Sequence, residues 1–434
     1  MPTSSQSPSR RLSRLALGLG MGACLVMGGG PAMPVWAAEP AAVDAPMGLP
    51  ALLERAETQN PDLQAARLRG EAAKAKAGYA GALDAPRVQG ALMDVLTLGG
   101  PRISLSQMLP GGSKRALMTD AAEREAAMAE AEVAQQRLGL ARDLRQAYYE
   151  HVYLTRARAI YQQSLEQVRN LRKIADSKYA VGAGLQQEPL RAQRELSKLL
   201  EQGLKLDADL ESSRAWVNTL ANRPAKAAIS VPQDLPALPP LPAASALLAK
   251  AEAHSPALRA AQARVEAQEA MVTLARQEKG TPDFEVGVEA GRSMPGDMAY
   301  LGGMVGINLP WFSPGRYGAK LKEAETSLAA AQAAYQGERI RLQGEIYRTL
   351  ADLSRQERQV RLYGQGLLPQ AKQALQAALA AYQVSKVDFD TVLESQTAIY
   401  QVQTDDARAR ADMHQTLAKL EALIGAPIGA PSAK

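Results

Sequence analysis

The sequence predicts a mainly α-helical chain with short β-strands, built as a helix–strand–strand–long helix–helix unit that occurs twice. Three observations carry this expectation. Leu52–Ala66 lies over Leu247–Ala261 without gaps, with eight of fifteen positions identical. Phe284, Val286, Val288 and Ala290 alternate with Glu285, Gly287, Glu289 and Gly291, the period of two that a half-buried strand requires. Two stretches, Lys114–Tyr179 and Arg316–Tyr382, carry apolar residues at helical spacing with Pro369 as their only internal proline. A helix of about 65 residues is about 100 Å long, which no ordinary globular helix reaches.

The elements come in order. Arg10, Arg11 and Arg14 precede an apolar run from Leu15 to Val26 and a small-residue stretch, Val35-Trp36-Ala37-Ala38. That succession reads as a secretory signal peptide over residues 1–37, cleaved after Ala37. A membrane anchor would need about 20 consecutive apolar residues, and this run is interrupted by Gly28–Gly30, Pro31 and Pro34. Cys24, the only cysteine, comes after Met21-Gly22-Ala23 in a loose likeness of a lipoprotein processing box, but the residues after it stay apolar. A body without cysteine can use neither disulfides nor thiol chemistry.

The formal charge is +5 for the whole chain and +2 once the three arginines of residues 1–37 are set aside. Charges alternate in sign, as in Glu123-Arg124-Glu125, which describes solvated helix faces and not the basic stripe of a nucleic-acid binder. Three Phe and three Trp in 434 residues leave little for large globular cores. The composition points to long helices or coiled coils.

A first structural repeat is expected over 38–224, a Pro-rich linker with five prolines over 225–242, a second repeat over 243–430 and a tail at 431–434. Within each repeat the first helix, about 49–82 and 244–279, should break at Asn60-Pro61 and Ser255-Pro256, because the residue before proline avoids helical geometry and Asn or Ser can cap the helical segment beyond it. Strands are expected at about 88–96 and 102–109 around a Gly99-Gly100-Pro101 turn. In the second copy they fall at about 284–291 and 300–309 around Met294-Pro295-Gly296-Asp297. Return helices run from about 187 to 220 and from 388 to 424.

Four short strands cannot close a barrel, and an open edge in lipid leaves backbone groups unsatisfied at several kcal/mol each. If the strands enter a membrane, several chains must share one barrel. The competing expectation is a soluble sheet packed on helices, in a periplasmic coiled-coil scaffold or adaptor.

The duplicated order resembles the TolC family of outer-membrane efflux factors across essentially the whole mature chain. The family's tip pattern is similar to Tyr179-Ala180-Val181-Gly182 with Leu190-Arg191-Ala192-Gln193, and to Tyr382-Gln383-Val384-Ser385 with Leu393-Glu394-Ser395-Gln396. Ser385 departs from the expected Gly, and the Asp of the second tip element is displaced. The resemblance implies a homotrimer with a twelve-stranded outer-membrane barrel continued by a periplasmic helical tunnel. It implies a periplasmic adaptor and an inner-membrane pump of RND type as partners, outer-membrane lipid around the strands, and no nucleic acid. It implies adaptor-docking tips at Val181, Gly182, Leu185, Val384 and Ser385, and an aperture at Asp388, Asp390 and Glu394, where three copies would gather up to nine carboxylates. Rings of Asp or Glu favour cations, although first-turn acids also simply suit a helix N-terminus.

The segments Ser106–Arg115 and Ile307–Trp311 resemble those of factors serving heavy-metal pumps of the CusC and CzcC kind. His151, His254 and His414 have no metal-ligand spacing and read as structural. No HExxH, Walker A or GxSxG pattern occurs, so no enzyme activity, cofactor or bound metal is expected.

Overall fold

The computed structural model describes residues 45–91, 99–293 and 298–428. The expected signal segment with Cys24, the strand portion 92–96, the turn 294–297 and the tail 431–434 lie outside them. In chain order the elements are α1 (Leu49–Gln59), α2 (Pro61–Ala80), β1 (Arg87–Ala91), β2 (Gly99–Leu109), α3 (Lys114–Ala180), α4 (Gln187–Leu220), α5 (Ala244–His254), α6 (Pro256–Gly280), β3 (Asp283–Ser293), β4 (Met298–Asn308), α7 (Pro314–Arg361), α8 (Leu368–Gln383) and α9 (Phe389–Ile424). A 3₁₀ turn at Pro310–Phe312 precedes α7, and a π-helical turn at Leu362–Leu367 separates α7 from α8.

Both proline breaks occur. At Asn60 the backbone turns extended and the side-chain Oδ1 accepts the N–H groups of Asp62 and Leu63 at 3.0 and 3.1 Å, which satisfies two of the orphan donors of the new helix. Ser255 makes no such bond; there proline geometry alone turns the chain.

Two expectations need correction. Gly99-Gly100-Pro101 is not a turn but the first part of β2, whose pairing with β3 shifts register between Gly99 and Arg102. The irregularity absorbs Pro101, which has no N–H to donate. The second long helical stretch is helical throughout but is not α-helical throughout. Pro369 cannot bond to the carbonyl four residues back and its ring crowds that carbonyl, so the chain widens into a π turn just before it.

The four strands form one antiparallel sheet in the order β1-β2-β3-β4, with Leu109, Phe284 and Ile307 in one row. Each strand is continuous in sequence with one helix, and the helices keep the same lateral order. α2 packs on α3, α3 on α6 and α6 on α7; farther from the sheet, α4 packs on α3, α3 on α9, and α9 on α7 and α8.

Packing divides into three clusters. Leu52, Leu144, Tyr148 and Val217 centre one, Leu247, Ile346, Leu353 and Leu420 a second, and Leu196, Leu199, Phe389 and Val392 a third near the helix tips. Each fully buried Leu contributes roughly 1.5–3 kcal/mol. Arg408 joins α9 to α3 with both Glu150 oxygens at 2.7 Å. Arg145 and Glu421 add a second bridge at 2.7 Å.

Candidate channel sheet and helix-tip site

The sheet sorts its residues by face. Direct partners across the ladder share a face, so Val88, Ile103, Leu105, Phe284, Val286, Val288, Leu301, Val305 and Ile307 stand together. All are exposed, Leu301 at 80% and Val305 at 73%. The opposite face carries Arg87, Arg102, Ser104, Glu285, Glu289 and Tyr300 beside Gly287, Gly302, Gly306 and two methionines, Met108 and Met304, while Gln107 and Arg292 are the polar members of the apolar face. One face therefore suits hydrocarbon and the other water, while among the described residues β1 and β4 each keep one unpaired edge. Among the described residues no helix is long and apolar enough to cross a membrane.

Where β2 passes into α3, the Pro110-Gly111-Gly112-Ser113-Lys114 segment is locked to β3. Lys114 is buried; its Nζ donates to Asp283 Oδ1 at 2.6 Å and to the Thr281 carbonyl at 2.7 Å, while Asp283 also accepts the Gly111 N–H at 3.0 Å. A Cβ on Gly111 would lie 1.8 Å from the Pro282 carbonyl oxygen. Only glycine permits this approach.

At the far end the structure brings the two tips together. Val181, Leu185 and Val384 are exposed, Val181 at 78%. Gly182 adopts φ +73 and Ser385 adopts φ +55, so the serine keeps the left-handed turn that glycine would make, at a cost of roughly 1–2 kcal/mol. Lys178 Nζ donates to the Tyr382 carbonyl at 2.6 Å and to Ser385 Oγ at 3.3 Å, and it lies 4.1 Å from the Tyr382 ring centroid. Tyr382 is buried, and its hydroxyl donates to Glu188 Oε2 at 2.7 Å. Burial, then this bond to a carboxylate, pushes the Tyr382 phenol above its ordinary range.

Of the three acids expected at an aperture, Asp390 is engaged by Arg191 of α4. Asp388 precedes the first residue of α9 without a side-chain capping bond. It and Glu394 are exposed and make no ion pair among the described residues. Asp390 and Glu394 are four apart and share one side of the helix. The sequence singled out Tyr382 only as a repeat position. It missed Lys178, Glu188 and Arg191 as the groups that hold the second tip; the position of Lys178 beside the repeated Tyr179 was the available signal.

The histidines are separate. His151 Nδ1 meets Ser213 Oγ at 2.8 Å, and His414 stacks on Tyr149 with Nε2 3.1 Å from the Pro236 carbonyl. Burial, with a smaller contribution from Arg214, lowers His151 to about 4. Burial also lowers His414, against a hydrogen bond to Pro236 that raises it. Among the described residues no three His, Cys, Asp or Glu side chains could hold a metal ion together.

An open sheet with one wet and one apolar face, continued by helices far longer than a globular core needs, defines a protomer of a membrane duct. The chain belongs to the outer membrane efflux protein family, whose pattern matches residues 52–223 and again 247–426. The cobalt-zinc-cadmium resistance protein CzcC of Cupriavidus metallidurans is 25% identical over 385 residues, 88% of this chain and 90% of that protein. The outer-membrane channel OprN shares the fold with a TM-score of 0.75 at 20% identity, over 87% of this chain and 89% of that one. The outer membrane protein VceC of Vibrio cholerae does so with 0.74 at 20% identity, over 87% and 96%. The protein is an efflux component of the Gram-negative outer membrane, extending into the periplasm.

Proposed function

We propose that three copies of this chain form the passive exit duct of a tripartite efflux system, fed by a periplasmic adaptor and an inner-membrane pump of RND type. The observation that carries this reading is the pair of free edges. On one side β1 and α2 end the layer, with Leu68 and Tyr79 exposed, and α4 adds Leu200, Leu204 and Trp216; on the other are β4 and α7, with Ile340 and Tyr347 exposed, then Leu362. Two different, apolar edges suit head-to-tail contacts that close a ring. Three copies supply twelve strands, within the range of membrane barrels. The exposed tips at Val181, Gly182, Leu185, Val384 and Ser385 are the adaptor-docking surface, and Asp388, Asp390 and Glu394 are the aperture acids. Residues 1–37 are the export signal, and the two repeats flank the linker at 225–242. The duct carries out no chemistry on its cargo.

Heavy-metal cations are the proposed cargo, supported by the cobalt, zinc and cadmium resistance for which the CzcC relative is named and by the aperture acids. Deleting the chain should lower tolerance to zinc, cobalt or cadmium, and restoring it should recover tolerance; loss of drug tolerance alone would redirect the cargo. For the duct itself, membrane fractionation with heat-sensitive gel mobility should give a detergent-requiring oligomer. A soluble periplasmic monomer would return the strands to a scaffold.

A further inference from the structure

The four junctions between strands and helices hold aromatic and cationic side chains that neither the barrel nor the tips use. The row Leu109, Phe284 and Ile307 sets the β2–α3, α6–β3 and β4–α7 junctions at one level, and the pairing of Arg87 with Ser106 brings α2–β1 to it. Leu83, Trp311 and Phe312 are exposed there, Phe312 at 77%. Aromatic side chains with an apolar body collect at membrane–water boundaries, and this level directly continues the exposed apolar face of the sheet.

The cations are the second observation. Within 79–88, 109–118, 278–284 and 309–320 the acids are Asp84, Glu278 and Asp283. Glu278 pairs with Lys320 and Asp283 with Lys114. Arg115, Lys279 and Arg316 are exposed and make no ion pair among the described residues. Arg115 is held at this level by its Nε donating to the Gly81 carbonyl at 2.8 Å. Both long helices begin without an acid in the first turn, where Lys114 and Arg115 in one and Arg316 in the other replace the acids a helix start favours. The same local preference is broken in both halves, at the same level.

We propose that this level is a collar that binds the phosphate groups of anionic phospholipids in the periplasmic leaflet of the outer membrane. The inference rests on the reading of the sheet as the membrane segment. Arg87 lies on the polar face of β1, away from lipid, and serves as an internal control. The attraction is electrostatic and should weaken as salt rises.

The test reconstitutes the purified oligomer into bilayers of phosphatidylethanolamine and phosphatidylglycerol, re-extracts it and quantifies the lipids that stay bound. Wild type should enrich phosphatidylglycerol roughly five-fold or more over the bulk. The variant R115Q/K279Q/R316Q should fall to the bulk ratio while keeping its heat-sensitive mobility, and R87Q should keep the enrichment. Trp311→Ala should lower the total lipid retained without changing the ratio. If the triple variant does not assemble, Arg316→Gln alone should still lower the enrichment. Bulk composition around the wild type, or unchanged enrichment in the variants, would overturn the collar. A protein that never enters bilayers would instead overturn the membrane reading beneath it.

Discussion

The two halves carry the same elements in the same order, but their long helices and their tips differ. α3 runs 67 residues without interruption, whereas its counterpart is divided by the π turn before Pro369. Tyr179 is 47% exposed, and Tyr382 at the matching repeat position is 3% exposed and bonded to Glu188. Gly182 makes its left-handed turn freely, while Ser385 makes the same turn with a side chain. The first half is a frame, and the second tip is an element that Lys178, Glu188 and Arg191 of that frame hold in place.

The largest difference between the halves is expected at the sheet junctions. Gly111→Ala forces a Cβ into the Pro282 carbonyl, while the same change at Gly315 meets nothing within 4 Å. The first should cost about 3 kcal/mol or more and abolish the heat-sensitive oligomer in membranes. The second should leave its yield near wild type.

Acid separates the halves next. The folded pKa of each buried histidine lies below the ordinary value of 6.5, so each contributes stability that is complete above pH 6.5 and falls as pH drops toward the folded value. For His151 that window reaches to about 4, worth at most about 3 kcal/mol. Thermal melting between pH 7 and 4.5 should therefore flatten more in His151→Gln than in His414→Gln. Equal slopes would remove the distinction.

The tip gives a smaller effect. Tyr382→Phe deletes the bond to Glu188 and should weaken the hold on the second tip by about 1.5–2 kcal/mol, read as higher conductance in planar bilayers. Tyr179→Phe should leave conductance unchanged. Smallest of all, Ser385→Gly should stabilise the tip by about 1 kcal/mol, and Gly182→Ser should destabilise it by a similar amount, both measured by melting temperature. If both changes shift melting in the same direction, the two turns are not equivalent.

Much of this was legible in the sequence because it is local. Period-two alternation placed β3 and β4 to within two residues at each end, and Asn60-Pro61 and Ser255-Pro256 placed the helix breaks. The start of β2 was not legible, since Gly99-Gly100-Pro101 has turn composition and only the extended partner β3 draws it into the sheet. Nor was the π turn, because one proline in a long periodic stretch does not announce which neighbouring carbonyl will be released. The tip acids and apolar residues were readable one by one. The bonds among Lys178, Tyr382 and Glu188 join positions 194 to 204 apart in the chain, and no spacing rule links residues so distant.

In the proposed duct one chain supplies only part of the closed wall. The most direct test is the protein mass of the membrane-extracted particle in mild detergent, measured by light scattering with the detergent contribution subtracted. Three chains per particle is the predicted result, since the edge of β4 and α7 in one copy then meets β1 and α2 in the next. A monodisperse particle of one chain would contradict a shared wall.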